Sequence, residues 1–95
     1  MYGSVFRMKP AAGKRQELID LMTAPDDRRP PGMVAAYLLA EDKDDAVWVM
    51  AVFEDEQSYR KNAQDPSQDE EYRRWRALLD ADPEWHDGTI MQAPA

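Results

Sequence analysis

Two apolar runs separated by a short charged turn constrain this chain of 95 residues more than any other feature. Met33 to Ala40 reads MVAAYLLA and Ala46 to Phe53 reads AVWVMAVF, with EDKDD, Glu41 to Asp45, between them. Runs of this length joined by so short a polar turn predict an antiparallel hairpin. Both strands are apolar at successive positions, hence on both faces, which predicts a sheet covered on both sides. One copy of so small a chain can supply helices for one face. The other face predicts a second sheet, most simply from a twofold-related copy, so the expected assembly is a homodimer.

The flanking segments complete an order of elements. Tyr2 to Met8 reads as a first strand ended by Lys9-Pro10. Gly13 to Met22 follows as an amphipathic helix, with Leu18, Ile19, Leu21 and Met22 on one side. Ala24 to Gly32, APDDRRPPG, carries three prolines and four charges and reads as an exposed loop. After the hairpin, Asp55 can cap a helix running to about Gln64, where Pro66 interrupts it. Ser67-Gln68-Asp69-Glu70 is a capping-box pattern for a further helix, in which Tyr72, Trp75, Leu78 and Leu79 form one apolar stripe. Asp82-Pro83 stops that helix, and Gly88 to Gln92 is short and strand-like. The result is an α+β fold, a ferredoxin-like β-α-β-β-α-β subunit with an antiparallel sheet and a split second helix, spanning residues 1–95 as one domain.

Composition excludes several function classes. A net charge of −7 argues against nucleic acid, which selects a basic face. Glu54 to Asp87 holds eleven acids against five bases, and the Arg28-Arg29 pair lies beside Asp26-Asp27. No apolar run reaches the roughly 20 residues needed to span a bilayer. The N-terminal residues lack a signal-peptide pattern, and the absence of cysteine fits a cytoplasmic protein. With no cysteine and one histidine there is no disulfide, no thiolate nucleophile and no ligand cluster with metal-site spacing. Neither a glycine-rich phosphate loop nor a serine nucleophile motif is present. The expectation is chemistry without cofactor or metal, or no chemistry.

Val52 to Ile90, VFEDEQSYRKNAQDPSQDEEYRRWRALLDADPEWHDGTI, closely resembles the antibiotic biosynthesis monooxygenase-like (ABM) family of dimeric α/β barrel proteins. Phe53, Ser58-Tyr59, Asn62-Ala63, Pro66 and the segment from Leu78 to Gly88 carry the resemblance, and the first half fits by its element order. The resemblance implies a ferredoxin-like subunit whose sheet packs on its twin's, and a cleft between helices and sheet for a flat, mostly aromatic ligand. It also implies, for the quinone-forming members, oxidation of polycyclic phenols by dioxygen without flavin, metal or haem. There the deprotonated substrate supplies the electrons, and the protein desolvates, orients and stabilises the anion. The haem-degrading branch fits poorly, because the first strand MYGSVFRM has no asparagine and His86 follows the helix instead of lying on it.

Within that frame the candidate catalytic residues are Asn62 and His86. The Asn62 amide can hydrogen-bond a phenol or an oxyanion; an ordinary helix-surface role is its plainer reading. Histidine is the residue type whose unperturbed pKa lies near neutrality, so His86 would be the natural proton acceptor. It is expected in a helix-to-strand corner beside Glu84 and Asp87, whose charges would keep it protonated. Candidate substrate-binding residues are Trp75 and Tyr72, as an aromatic wall that is equally core at helical spacing. Tyr37 and Trp48 join them from the hairpin, facing either the cleft or a dimer interface. Arg7 can pair an anionic ligand or one of the many acids, and alternation puts it on the face opposite Ser4. The leading function is a cofactor-independent monooxygenase, an oxidoreductase acting on an aromatic or polyketide-like small molecule. The alternatives are a non-catalytic small-molecule binding or sensing protein, and a structural dimer module on the same scaffold.

Overall fold

The computed structural model describes residues 1–25 and 29–94. Asp26, Asp27 and Arg28, in the expected proline-rich loop, lie outside the described residues. The elements are β1 (Tyr2–Met8), α1 (Arg15–Thr23), β2 (Met33–Ala40), β3 (Val47–Phe53), α2 (Glu56–Ala63), α3 (Pro66–Arg76) and β4 (Glu84–Thr89). The four strands form one antiparallel sheet in the order β2-β3-β1-β4. This is the ferredoxin-like arrangement, with the two halves of the split second helix as separate elements.

Alternation along the central strands sorts the chain into two faces. Phe6 pairs with Val49 and Met8 with Val47, and all four side chains are buried with Leu18 of α1, Trp75 of α3 and Leu79. Burial of a large apolar side chain is worth about 1.5–3 kcal/mol, so this cluster of contacts between helices and sheet dominates the stability of the subunit. Ile19, Met22, Tyr72 and Leu78 pack around its edge. On the other face, Tyr37 and Leu39 of β2 remain 66% and 59% exposed.

The helix boundaries follow from local chemistry. Gly13 has φ of +77°, a left-handed conformation outside the helical region, so α1 starts at Arg15 and not at Gly13 as expected. The Arg15 guanidinium then donates to the carbonyls of Glu41 (2.8 Å) and Asp45 (3.2 Å), tying α1 to the β2–β3 turn. Asp55 caps α2 as expected, its carboxylate accepting from the Ser58 amide at 2.7 Å. At α3 the cap is Asp65, which accepts from the Ser67 amide (2.8 Å) and hydroxyl (2.7 Å); Pro66 occupies the first turn. Ser67 is therefore inside the helix instead of capping it, because proline needs no amide partner there. Gly32, with φ of +83°, admits no side chain: a Cβ there would lie 2.5 Å from Ser58 of α2.

Two expectations at the C-terminal end are corrected. The helix bearing Tyr72 and Trp75 ends at Arg76, and Leu79 instead bridges to Pro10 while keeping its place in the core. The last strand begins at Glu84, not Gly88, so His86 lies within a strand and not in a corner. β4 is an edge strand with largely exposed side chains, held by backbone pairing to β1. Backbone pairing requires no hydrophobic alternation, which is why EWHDGT carries little strand signal. Among the described residues no helix is long and apolar enough to cross a membrane.

Candidate functional site

The helix-facing side of the sheet is not filled uniformly. Reading across the strands, Leu38, Val49, Phe6 and Trp85 form one rung, and all are large. The next rung toward Phe53 is Ala36, Ala51, Ser4 and Asp87, so three adjacent strands there carry only small side chains. That rung is a trough. With α1, α2 and α3 above it, a cleft of about 900 Å³ opens, ample for a multi-ring organic molecule.

Aromatic rings line one side. The Phe6 ring lies 4.4 Å from that of Trp85 and stacks on that of Trp75 at 5.7 Å, the latter two planes 17° apart. Tyr72 meets Trp75 edge-on at 4.7 Å. These centroid distances are those of favourable aromatic pairs, so the rings hold one another in place and present a rigid apolar wall.

The opposite end is polar. The Tyr59 hydroxyl donates to Asp87 Oδ1 at 3.0 Å, and its ring rests against Tyr2 (5.4 Å) and Phe53 (5.5 Å). Burial, then the hydrogen bond to Asp87, push the Tyr59 phenol above its ordinary value of 10.0, while the Ser4 hydroxyl pulls the other way. Tyr59 is thus a neutral phenol at any physiological pH. Ser4 is 2% exposed, and its Oγ has no partner at hydrogen-bonding geometry. Arg60 donates to the Tyr2 hydroxyl at 3.3 Å and pairs with Glu56.

Three of the residues singled out from sequence meet at this cleft: Asn62 from α2, and Tyr72 and Trp75 from α3. Asn62 is half-buried on the same side of α2 as Tyr59, three positions earlier. Tyr37 borders the cleft along β2, but its register partner Met50 belongs to the far face, where alternation also sends the Tyr37 ring. Trp48 and Arg7 face each other across β3 and β1 on that far side. There Trp48 donates through Nε1 to Glu41, and Arg7 pairs with Asp44 at 3.6 Å. His86 is opposite Val5 on the same far face, its Nε2 2.9 Å from Glu84 Oε1. The sheet therefore separates His86, Trp48 and Arg7 from Asn62, Tyr72 and Trp75. Among the described residues no group of three or more histidines or carboxylates converges as a metal site.

Tyr59 and Asp87 are cleft residues that inspection of the sequence did not single out. For Tyr59 a signal existed, since it stands at i and Asn62 at i+3 on one helix. Asp87 had none, because its face depends on where β4 begins.

No protein-family model matches the chain, and no curated protein does. Solved structures do. A monooxygenase from the ActVA-Orf6 gene of Streptomyces coelicolor, solved in complex with nanaomycin D, superposes with a TM-score of 0.85 at 26% identity, covering 99% of this chain and 90% of that one. SnoaB, a cofactor-independent oxygenase from Streptomyces nogalater, gives 0.80 at 28% identity over 97% of this chain and 94% of that one. An asparagine-to-alanine mutant of SnoaB matches likewise, at 26% identity.

Proposed function

We propose, for a chain that is antibiotic biosynthesis monooxygenase-like in fold along its whole length, that it binds a flat aromatic or polyketide-like molecule and oxidises it with dioxygen, without cofactor, as a homodimer. The observation that carries this reading is the cleft itself: an apolar trough walled by Tyr72, Trp75 and Trp85, with the amide of Asn62, the chain's one asparagine, at its margin. Such a pocket fits fused rings by shape and leaves a few polar groups to orient them. The likeness to a ligand-bound monooxygenase and to a cofactor-independent oxygenase supports the same reading.

The chemistry asks little of the protein. An activated methylene between aromatic rings loses a proton to become an enolate, which transfers electrons to dioxygen. One oxygen atom ends in the new carbonyl, and the second leaves as water with the two hydrogens of the methylene. Asn62 supplies an amide N–H for the enolate oxygen, a role in which preorganised donors have their largest effect. Tyr72 and Trp75 exclude water and hold the rings. His86 is given no part in this step, since it lies on the other side of the sheet.

The far face supports the dimer. Tyr37, Leu39, Trp48, Met50 and Val5 form an apolar surface on the side away from the helices, and a second copy of the sheet covers it most simply. Light scattering is expected to report twice the mass of one chain.

Oxygen uptake with a panel of anthrones and hydroquinones tests the catalytic reading. The wild type is expected to consume oxygen and form quinone, and Asn62→Ala to be slower by about tenfold or more. Saturable binding without oxygen uptake would favour a binding or sensing protein. No binding at all would leave a structural module.

A further inference from the structure

The polar end of the cleft has a direction built into it. A phenol has one proton to donate and two lone pairs that accept. The Tyr59 proton is committed to Asp87 Oδ1, at 3.0 Å, and an ionised carboxylate accepts only. What Tyr59 offers the cleft is therefore lone pairs. Its ring cannot swing away easily, being seated between Tyr2 and Phe53. Ser4, on the floor between Ala51 and Asp87, is buried, and its hydroxyl acts on the Tyr59 phenol. A ligand that displaces water from Tyr59 must satisfy the phenol oxygen, since such a group is costly to leave unpaired.

We propose that Tyr59, oriented by Asp87, accepts a hydrogen bond from a hydroxyl of the ligand, so that the cleft selects hydroxylated planar aromatics over their O-methyl ethers. An ether or carbonyl oxygen placed there meets acceptor against acceptor at Tyr59. A hydroxyl completes a chain in which every donor points toward Asp87. The elevated phenol pKa keeps Tyr59 neutral and the chain intact across the physiological range. This inference rests on the reading of the cleft as a site for a flat aromatic ligand, and it adds which polar group that ligand must carry.

Binding, not turnover, tests it. The probes are 2-hydroxyanthraquinone and 2-methoxyanthraquinone, titrated calorimetrically in mildly acidic buffer, where the hydroxyl stays protonated. The wild type is expected to prefer the hydroxyl probe by about tenfold, since a site built for a hydroxyl rejects the analogue without one. Tyr59→Phe keeps the ring and removes the oxygen, and should bring the two affinities within about twofold. Asp87→Ala removes the acceptor, frees the Tyr59 proton to turn into the cleft and should also reduce the ratio. A structural effect of either change would weaken both probes alike and leave the ratio standing. Equal affinities in the wild type, or an unchanged ratio in Tyr59→Phe, would overturn the proposal while leaving the aromatic cleft intact. Failure of both probes to bind the wild type would remove the ligand-binding reading along with it.

Discussion

The two faces of the sheet are made from the same strands and similar residues, yet they meet different fates. Toward the helices, Phe6, Met8, Val47 and Val49 are sealed by Leu18, Trp75 and Leu79. Away from them, Tyr37 and Leu39 stand in solvent beside Trp48 and Met50. Apolar content alone does not decide which surface becomes core. What decides is whether the chain carries an amphipathic helix long enough to lie on it. The helix side shows a second contrast, between the filled rung at Phe6 and the trough at Ser4 and Ala51, and that contrast makes a binding site out of a core.

The sharpest way to break the first contrast is to remove the residue that both seals the core and walls the cleft. Trp75→Ala should cost about 3–5 kcal/mol, measured as a fall in the urea midpoint, because the indole leaves a cavity against Phe6 that the sheet cannot close. The opposite face should respond differently. Leu39→Glu, at an exposed site, should change the stability of one subunit by no more than about 0.5 kcal/mol. It should nevertheless shift the assembly to single chains by light scattering, and an unchanged mass would rule out this face as the interface.

The trough gives a finer test. Ala51→Leu places a larger side chain into open cleft volume and not into a filled core, so stability should change by less than about 1.5 kcal/mol. Affinity for a planar aromatic should fall at least tenfold. A large loss of stability would mean that the rung at Ala51 is packed after all.

The smallest effect lies at the N-terminus of α2. The Ser58 amide donating to Asp55 holds its carboxyl below its ordinary value of 3.8. A folded value below the unfolded one means that this cap stabilises fully above about pH 4 and is lost as pH falls through the folded value. Asp55→Asn keeps a capping side chain without the titration. The stability difference between wild type and variant, followed by thermal melts, should therefore shrink as the buffer is acidified below about pH 4.

Much of this architecture is legible in the sequence. The hairpin came from MVAAYLLA and AVWVMAVF around EDKDD, and the split helix from Asp55 and Pro66. Asn62, Tyr72 and Trp75, candidates by helical spacing and family resemblance, line one cleft. His86 shows where such reading stops. A lone histidine near acids attracts a catalytic role, but its use depends on the side of β4 it occupies. Strand side chains alternate with a period of two, so one residue of phase transfers His86 from cleft to far face and brings Asp87 in its place.

The chain by itself thus determined the order of elements, the antiparallel hairpin, the Asp55 cap and the split of the second helix. Those depend on local periodicity, turn chemistry and backbone freedom, which each short segment carries within it. The tertiary structure decided the phase of the strands, the start of β4 and the pairing of Tyr59 with Asp87. Strands apolar on both faces carry no mark of which side is inward, and an edge strand needs only a neighbour's backbone to form. The trough exists because Ala36, Ala51 and Ser4, distant in sequence, fall into one register across three strands.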